Sequence, residues 1–407
     1  MRVDTEALII GAGPAGSVAG AMLARAGFKP LVLEAGTFPR FVIGESMLPR
    51  VNDVLQEAGL YDAIVAKKFM PKPGALFLKG EHSDRFCFAE MFPGQSPAAL
   101  QVVRADFDQT LATTARGYGA DIRFQHAVQG IEFAADGRSM TQVLDVETQQ
   151  KYEVSAKIVL DCSGYGRVLP KLLKLEKPSH LSPRAAVFAH FEGDERPEGD
   201  KAGDIWICIH PKGPWIWIIP FSNGRTSVGV VAEREMLAAA GKDDRERMMH
   251  FINTDPNAGK RLKNVTQVMK TTRLEGWSAS VERFWGPGWV LCGNASEFLD
   301  PVFSSGVTLA LESSHRAAKL AAKQLKGETV DWDKDYTKPM DQAVGVFRVF
   351  VDTWYTEELQ RLLLAPNKAD KIKRAITAVL GGYVLDDRNP FVRDARGTLN
   401  AALKFVG

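Results

Sequence analysis

The sequence predicts an α/β fold, and three observations predict it. A short apolar strand near the start runs into a G-x-G-x-x-G turn and a helix. The next apolar strand ends in an acid. Further on, Gly213-Pro214-Trp215-Ile216-Trp217-Ile218-Ile219-Pro220 alternates bulky side chains up to a proline, the pattern of a strand with one aromatic face. Together they predict a Rossmann-like dinucleotide-binding domain, a separate β-sheet region and, from the composition of the tail, C-terminal helices.

The opening strand is Ala7-Leu8-Ile9-Ile10, the turn is Gly11-Ala12-Gly13-Pro14-Ala15-Gly16, and residues 17–26 read as helix. Gly11 permits the tight turn, Gly13 lets the backbone approach a pyrophosphate, and Gly16 lets helix and strand pack closely, with the phosphates at the helix N-terminus. Residues 30–33 form the second strand, and Glu34 stands where an acid hydrogen-bonds a ribose hydroxyl. No second fingerprint follows, so one dinucleotide is expected to be held firmly and no built-in nicotinamide site is evident.

With 407 residues, 45% hydrophobic and 25% charged, the chain can bury more than one layer of structure. A net charge of +2 leaves no nucleic-acid footprint. Cys87, Cys162, Cys208 and Cys292 are widely spaced and suggest neither a metal site nor a disulfide framework. No signal pattern and no apolar run of membrane-spanning length is present, so a cytoplasmic protein is expected.

Along the chain, residues 104–118 have helical periodicity, and 121–124, 131–133 and 157–160 read as strands leading to Asp161-Cys162-Ser163-Gly164. Residues 185–231 are strand-rich, 289–292 form a returning strand before Gly293-Asn294, and the chain is mostly helical after Thr308. The expected organisation is a discontinuous cofactor domain (1–60, 95–175 and 275–325), a substrate-side sheet domain (61–94 and 176–274) and a helical region (326–407).

These residues carry a family resemblance. The fingerprint, Glu34, Phe38-Pro39-Arg40-Phe41 with Gly44-Glu45-Ser46, Arg104 before Phe107-Asp108, the turn 161–164 and the segment 293–306 resemble FAD-dependent monooxygenases of the aromatic hydroxylase type, and within them the flavin-dependent halogenases. The W-x-W-x-I-P motif of that branch is present as Trp215, Trp217, Ile219 and Pro220, and its F-x-x-P-x-x-S-x-G motif as Phe298, Pro301, Ser304 and Gly306. The resemblance spans roughly residues 1–320. It implies an FAD site built by Gly11, Gly13, Ala15, Gly16, Glu34, Arg40, Ser46, Arg104, Asn294, Pro301, Gly306 and Val307.

It also implies a mechanism. A separate flavin reductase supplies reduced FAD, oxygen adds at the flavin C4a position, and halide attack releases hypohalous acid. The acid travels to a lysine that halogenates an electron-rich aromatic. Relatives place that lysine five residues before an aromatic, a spacing met by Lys72 and Phe77, while Lys67, Lys68 and Lys79 are rivals. Burial would lower the pKa of such a lysine. Ser304, Ser305 and Gly306 open a helix and form a natural site for chloride or bromide, compatible with Ser304 also capping it. Trp215 and Trp217 would wall flavin from substrate and bar direct oxygen transfer; the plain alternative is two core indoles.

Two departures refine the expectation. Asn294 stands where many relatives have Asp, leaving an amide that hydrogen-bonds without charge. Phe303 stands where tryptophan-type members carry Glu, resembling the members that act on phenols or pyrroles, free or tethered to an acyl or peptidyl carrier protein. The competing classes are an FAD-dependent aromatic hydroxylase, a geranylgeranyl-reductase-like oxidoreductase, for which Gly229 after Pro220 is the suggestive residue, and a non-catalytic flavin binder.

Overall fold

In the computed structural model, which describes residues 2–406, two large sheets face one another across a cavity. The first is centred on the strand Arg2–Ile10, flanked in parallel by Leu31–Glu34 and Lys151–Asp161. Asp121–Phe124 extends it on one side and Trp289–Leu291 on the other, both parallel. Parallel neighbours need crossover connections, and the helices Pro14–Arg25 and Arg104–Gly117 supply them. The antiparallel hairpin His126–Phe133 and Ser139–Asp145 pairs onto the first half of Lys151–Asp161.

The second sheet runs in the order Thr266–Gln267, Arg184–Glu192, Arg225–Glu233, Trp215–Pro220, Ile205–Ile209, Gly74–Lys79 and His82–Cys87, with Thr272–Glu275 also on Arg184–Glu192. Both of its faces are covered, which explains the unbroken burial of Trp215–Pro220. Trp215, Trp217 and Ile219 turn to the cavity and the main core, whereas Ile216 and Ile218 join a second core under the helices Asp244–Thr254 and Pro256–Arg261. Period-2 alternation therefore sorts one apolar strand between two cores.

The helix Ser305–Leu325 packs against Pro14–Arg25, and Lys338–Tyr355, Glu358–Leu364, Asp370–Leu380 and Ala395–Val406 follow it. Several elements extend beyond their apolar cores. The first strand begins at Arg2, five residues before the apolar run at Ala7, because Arg2–Thr5 pair with Glu153–Ala156 through the backbone, whatever their side chains. The first helix begins at Pro14, where a proline costs no hydrogen bond. Pro339 follows directly on the π-helical turn Asp333–Thr337, where that turn passes into the helix Lys338–Tyr355.

Candidate functional site

A cavity of about 430 Å³ lies between the sheets, within the range of small-molecule sites. The glycine turn forms one end. Gly11 has φ +95°, and a Cβ there would lie 2.7 Å from the Cys162 carbonyl oxygen. A Cβ on Gly16 would fall 1.8 Å from the Gly11 carbonyl oxygen, so Gly16 serves close packing and does not line the cavity. Gly13 differs from both. Added there, a Cβ would meet only the Arg40 guanidinium at 3.5 Å, because the Gly13 backbone faces open space. Gly13 is also the N-cap of Pro14–Arg25, which has no side-chain cap and no acid in its first turn, leaving its end free for an anion.

Ala15, Glu34 and Arg40 line the same end. The Glu34 carboxylate accepts from the Ala12 N–H at 2.9 Å and the Gly36 N–H at 3.0 Å, which holds the acid in place beneath the turn. Arg104 lines the cavity, but most of its donors are spent: it binds both oxygens of Asp108 and the carbonyls of Ile43 and Gly44. It fixes the segment entering Gly44-Glu45-Ser46. The half-buried Arg40 guanidinium lies 3.8 Å from the same Asp108.

At the other end, Asn294, Pro301, Ser304, Gly306 and Val307 reach the cavity. Ser304 has φ +55° and ψ +25°, a left-handed conformation uncommon for a side chain with a Cβ. Its hydroxyl makes no capping bond to the helix Ser305–Leu325, so Ser304 is not a side-chain cap. Ser305 is buried and does not line the cavity, leaving its backbone at the helix start as its contribution. Phe303 turns into the core, edge-on to Phe350 and Trp354.

Trp215 and Trp217 stand side by side on the cavity wall, ring centroids 5.9 Å apart. The Trp217 indole N–H donates to Ser227 Oγ at 3.1 Å, and its ring occupies the space above Gly229, where a Cβ would come within 2.1 Å. The Trp215 N–H donates to Tyr355 Oη at 3.2 Å, and Tyr355 donates to Asp300 at 2.9 Å. Arg184 lies over the Tyr355 ring. Burial pushes the Asp300 carboxyl up to about 6. Sequence reasoning missed Asp300 and Tyr355. Asp300 directly precedes Pro301 of a quoted motif and could have been found, but Tyr355 is 140 residues from its indole partner.

Lys72 ends the short strand Met70–Lys72 and is 1% exposed. Its Nζ donates to the Met47 carbonyl at 2.9 Å and lies 5.4 Å from the centroid of Phe88. Burial pushes the ammonium down to about 7, against the pull of Asp204. Lys72 is not part of the cavity lining; Met47, its partner, directly follows Ser46, which is. Lys79 bonds Glu357 and Gln360 at the surface, and Lys67 and Lys68 are exposed.

Two features of the cavity fit FAD. Gly13 leaves a cradle that a side chain would fill, and Glu45 Oε2 and Ser46 Oγ are buried without a hydrogen-bond partner beside that space. A nucleotide's polar groups supply the partners such atoms lack.

The glycine turn opposite a second helix start defines a class, the FAD-dependent oxidoreductases, and the profile of the FAD binding domain family matches residues 4–338. A flavin-dependent halogenase of Armillaria mellea, armH3, is 30% identical over 387 residues, 88% of this chain and 73% of that protein. The 1H-pyrrole-2-carbonyl-(peptidyl-carrier protein) brominase of Pseudoalteromonas luteoviolacea is 27% identical over 350 residues, 85% of this chain and 84% of the brominase. A crystal structure of a flavoprotein/dehydrogenase from Cytophaga hutchinsonii superposes with a TM-score of 0.95 at 40% identity, over 99% of this chain and 98% of that one. The chain belongs to the flavin-dependent halogenase family. Among the described residues, no helix is long and apolar enough to cross a membrane.

Proposed function

We propose that this chain halogenates an electron-rich aromatic of the phenol or pyrrole type, using reduced FAD from a separate reductase together with oxygen and halide. Bound FAD would supply the electrons that activate oxygen for halide oxidation. Gly11, Gly13 and Ala15 would hold its pyrophosphate at the first helix and Glu34 its ribose, with Ser46, Asn294, Pro301 and Val307 along the remainder. The left-handed Ser304 and the free N–H groups at Ser305 and Gly306 would hold the halide. Trp215 and Trp217 would keep substrate from the flavin.

The observation that carries this reading is the complete burial of Lys72. An ammonium wholly inside the protein and pushed down to about 7 can donate a hydrogen bond to hypohalous acid or give up its proton and act as a nucleophile near neutral pH. A lysine is almost never fully buried unless it is paired, and no carboxylate is bonded to this one. The pyrrole-type brominase among the relatives, and Phe303 in the place of a carboxylate, support a pyrrole or phenol that needs little activation, free or tethered to a carrier protein.

A second reading, an FAD oxidoreductase that does not halogenate, is favoured by the 40% identity to a protein described as a flavoprotein/dehydrogenase. Incubation with reduced FAD, oxygen, bromide and a panel of phenols and pyrroles separates the two. Bromine isotope doublets among the products support halogenation; hydroxylated or reduced products alone support the alternative.

A further inference from the structure

Glu45 and His190 form a buried pair outside the roles assigned above. Glu45 Oε1 lies 2.8 Å from His190 Nε2, and the two residues are 1% and 6% exposed. The backbone fixes where the carboxylate can go. The Glu45 carbonyl accepts from Val102 N–H at 2.8 Å, Met47 N–H donates to Leu100 at 2.9 Å, and Ser46 bridges Gln101 between them. His190 comes from the strand Arg184–Glu192, its ring edge-on to Phe41 and Phe221. Aromatic walls leave the carboxylate as the imidazole's polar neighbour at Nε2.

The other carboxylate oxygen, Oε2, is buried with no partner, and Glu45 lines the cavity. Leaving such an atom unsatisfied in a folded protein is costly, so it is expected to meet either a bound group or a proton of its own. The neighbouring cations do not serve it. Arg104 is spent on Asp108, Ile43 and Gly44, and Lys72 Nζ is bonded to Met47. Arg104 therefore acts on Glu45 only through space, and among the described residues His190 alone bonds the carboxylate.

We propose that Glu45 and His190 act as one proton-holding couple of the cofactor cavity, taking up a proton when the anionic FAD binds beside them. This rests on the reading that the cavity holds FAD. No bond is made or broken other than to the proton, which comes from solvent; the carboxyl then offers Oε2–H to the bound group while His190 holds Oε1. An uncompensated carboxylate beside an anion would weaken binding, and proton uptake removes that repulsion.

The test is the dissociation constant of oxidised FAD, read by flavin fluorescence from pH 5.5 to 8.5, in the wild type, Glu45→Gln and His190→Gln. Glutamine at 190 can still donate to Oε1 but does not titrate, so it separates packing from protonation. The expected result is wild-type affinity falling by up to about tenfold per pH unit, the slope of one linked proton. That slope should vanish in Glu45→Gln and flatten in His190→Gln, with both variants folded by circular dichroism. A flat wild-type profile, or the wild-type slope retained in both variants, overturns the proposal. A loss of affinity in Glu45→Gln equal at every pH also overturns it, making Glu45 a static acceptor. Absence of FAD binding by the folded wild type at any pH would instead overturn the cavity reading itself.

Discussion

Lys72 Nζ donates to the Met47 carbonyl at 2.9 Å, which ties a wholly buried ammonium to the residue directly after Ser46, part of the lining of the cavity between the sheets. The bond joins the short strand bearing Lys72 to the cavity wall.

Stability should record the burial of that charge. Below about pH 7 Lys72 is protonated in both states, and burying it is a constant cost. Between about 7 and 10.5 the unfolded chain still holds the proton and the folded protein does not, so stability rises with pH through that window. Lys72→Met removes the effect. In denaturant titrations from pH 6 to pH 9, the wild type should gain on the variant above pH 7, by up to ~1.4 kcal/mol per pH unit. Parallel profiles would mean that Lys72 titrates normally.

A Cβ at position 13 meets nothing within 4 Å but the Arg40 guanidinium, and Gly13→Val would fill the open cradle in front of the turn. Folding should survive, and FAD affinity should fall by about tenfold or more, ~1.4 kcal/mol at the least. Calorimetric titration with FAD checks this, and unchanged affinity in a folded variant would remove the pyrophosphate from this turn.

Gly229→Ala places a methyl within 2.1 Å of the Trp217 ring. The indole must move or the strand must shift, at a cost of about 1–3 kcal/mol. A lowered Tm with altered tryptophan fluorescence is expected. A neutral effect on both would show that the Trp217 ring is not seated against this strand.

Because one dinucleotide fingerprint is present and no second, NADPH alone should not bleach the flavin of the loaded protein at a useful rate. Stopped-flow absorbance decides this. Rapid bleaching would favour a single-component hydroxylase.

The glycine-turn end of the cavity was legible because it is local: a strand, three glycines and a helix within 25 residues, each glycine in its own steric setting. Trp215 and Trp217 were legible for the same reason, since alternation along one strand fixes which side chains share a face. Tyr355 and His190 were not. Each bonds a partner about 140 residues away, His190 to Glu45 and Tyr355 to Trp215, across strands and helices whose apolar patterns give no register between them. Strand ends such as Arg2–Thr5 were hidden because backbone pairing, not hydrophobicity, holds them.

The most direct test measures two outputs side by side, halogenated aromatic and hypohalous acid, in the wild type and in Lys72→Ala supplied with reduced FAD, oxygen and bromide. The wild type should yield the brominated product. Lys72→Ala should still consume reduced flavin and release hypobromous acid, trapped by a dye, while substrate bromination falls to background. Bromination retained in Lys72→Ala, or a wild type that only hydroxylates, would contradict the account.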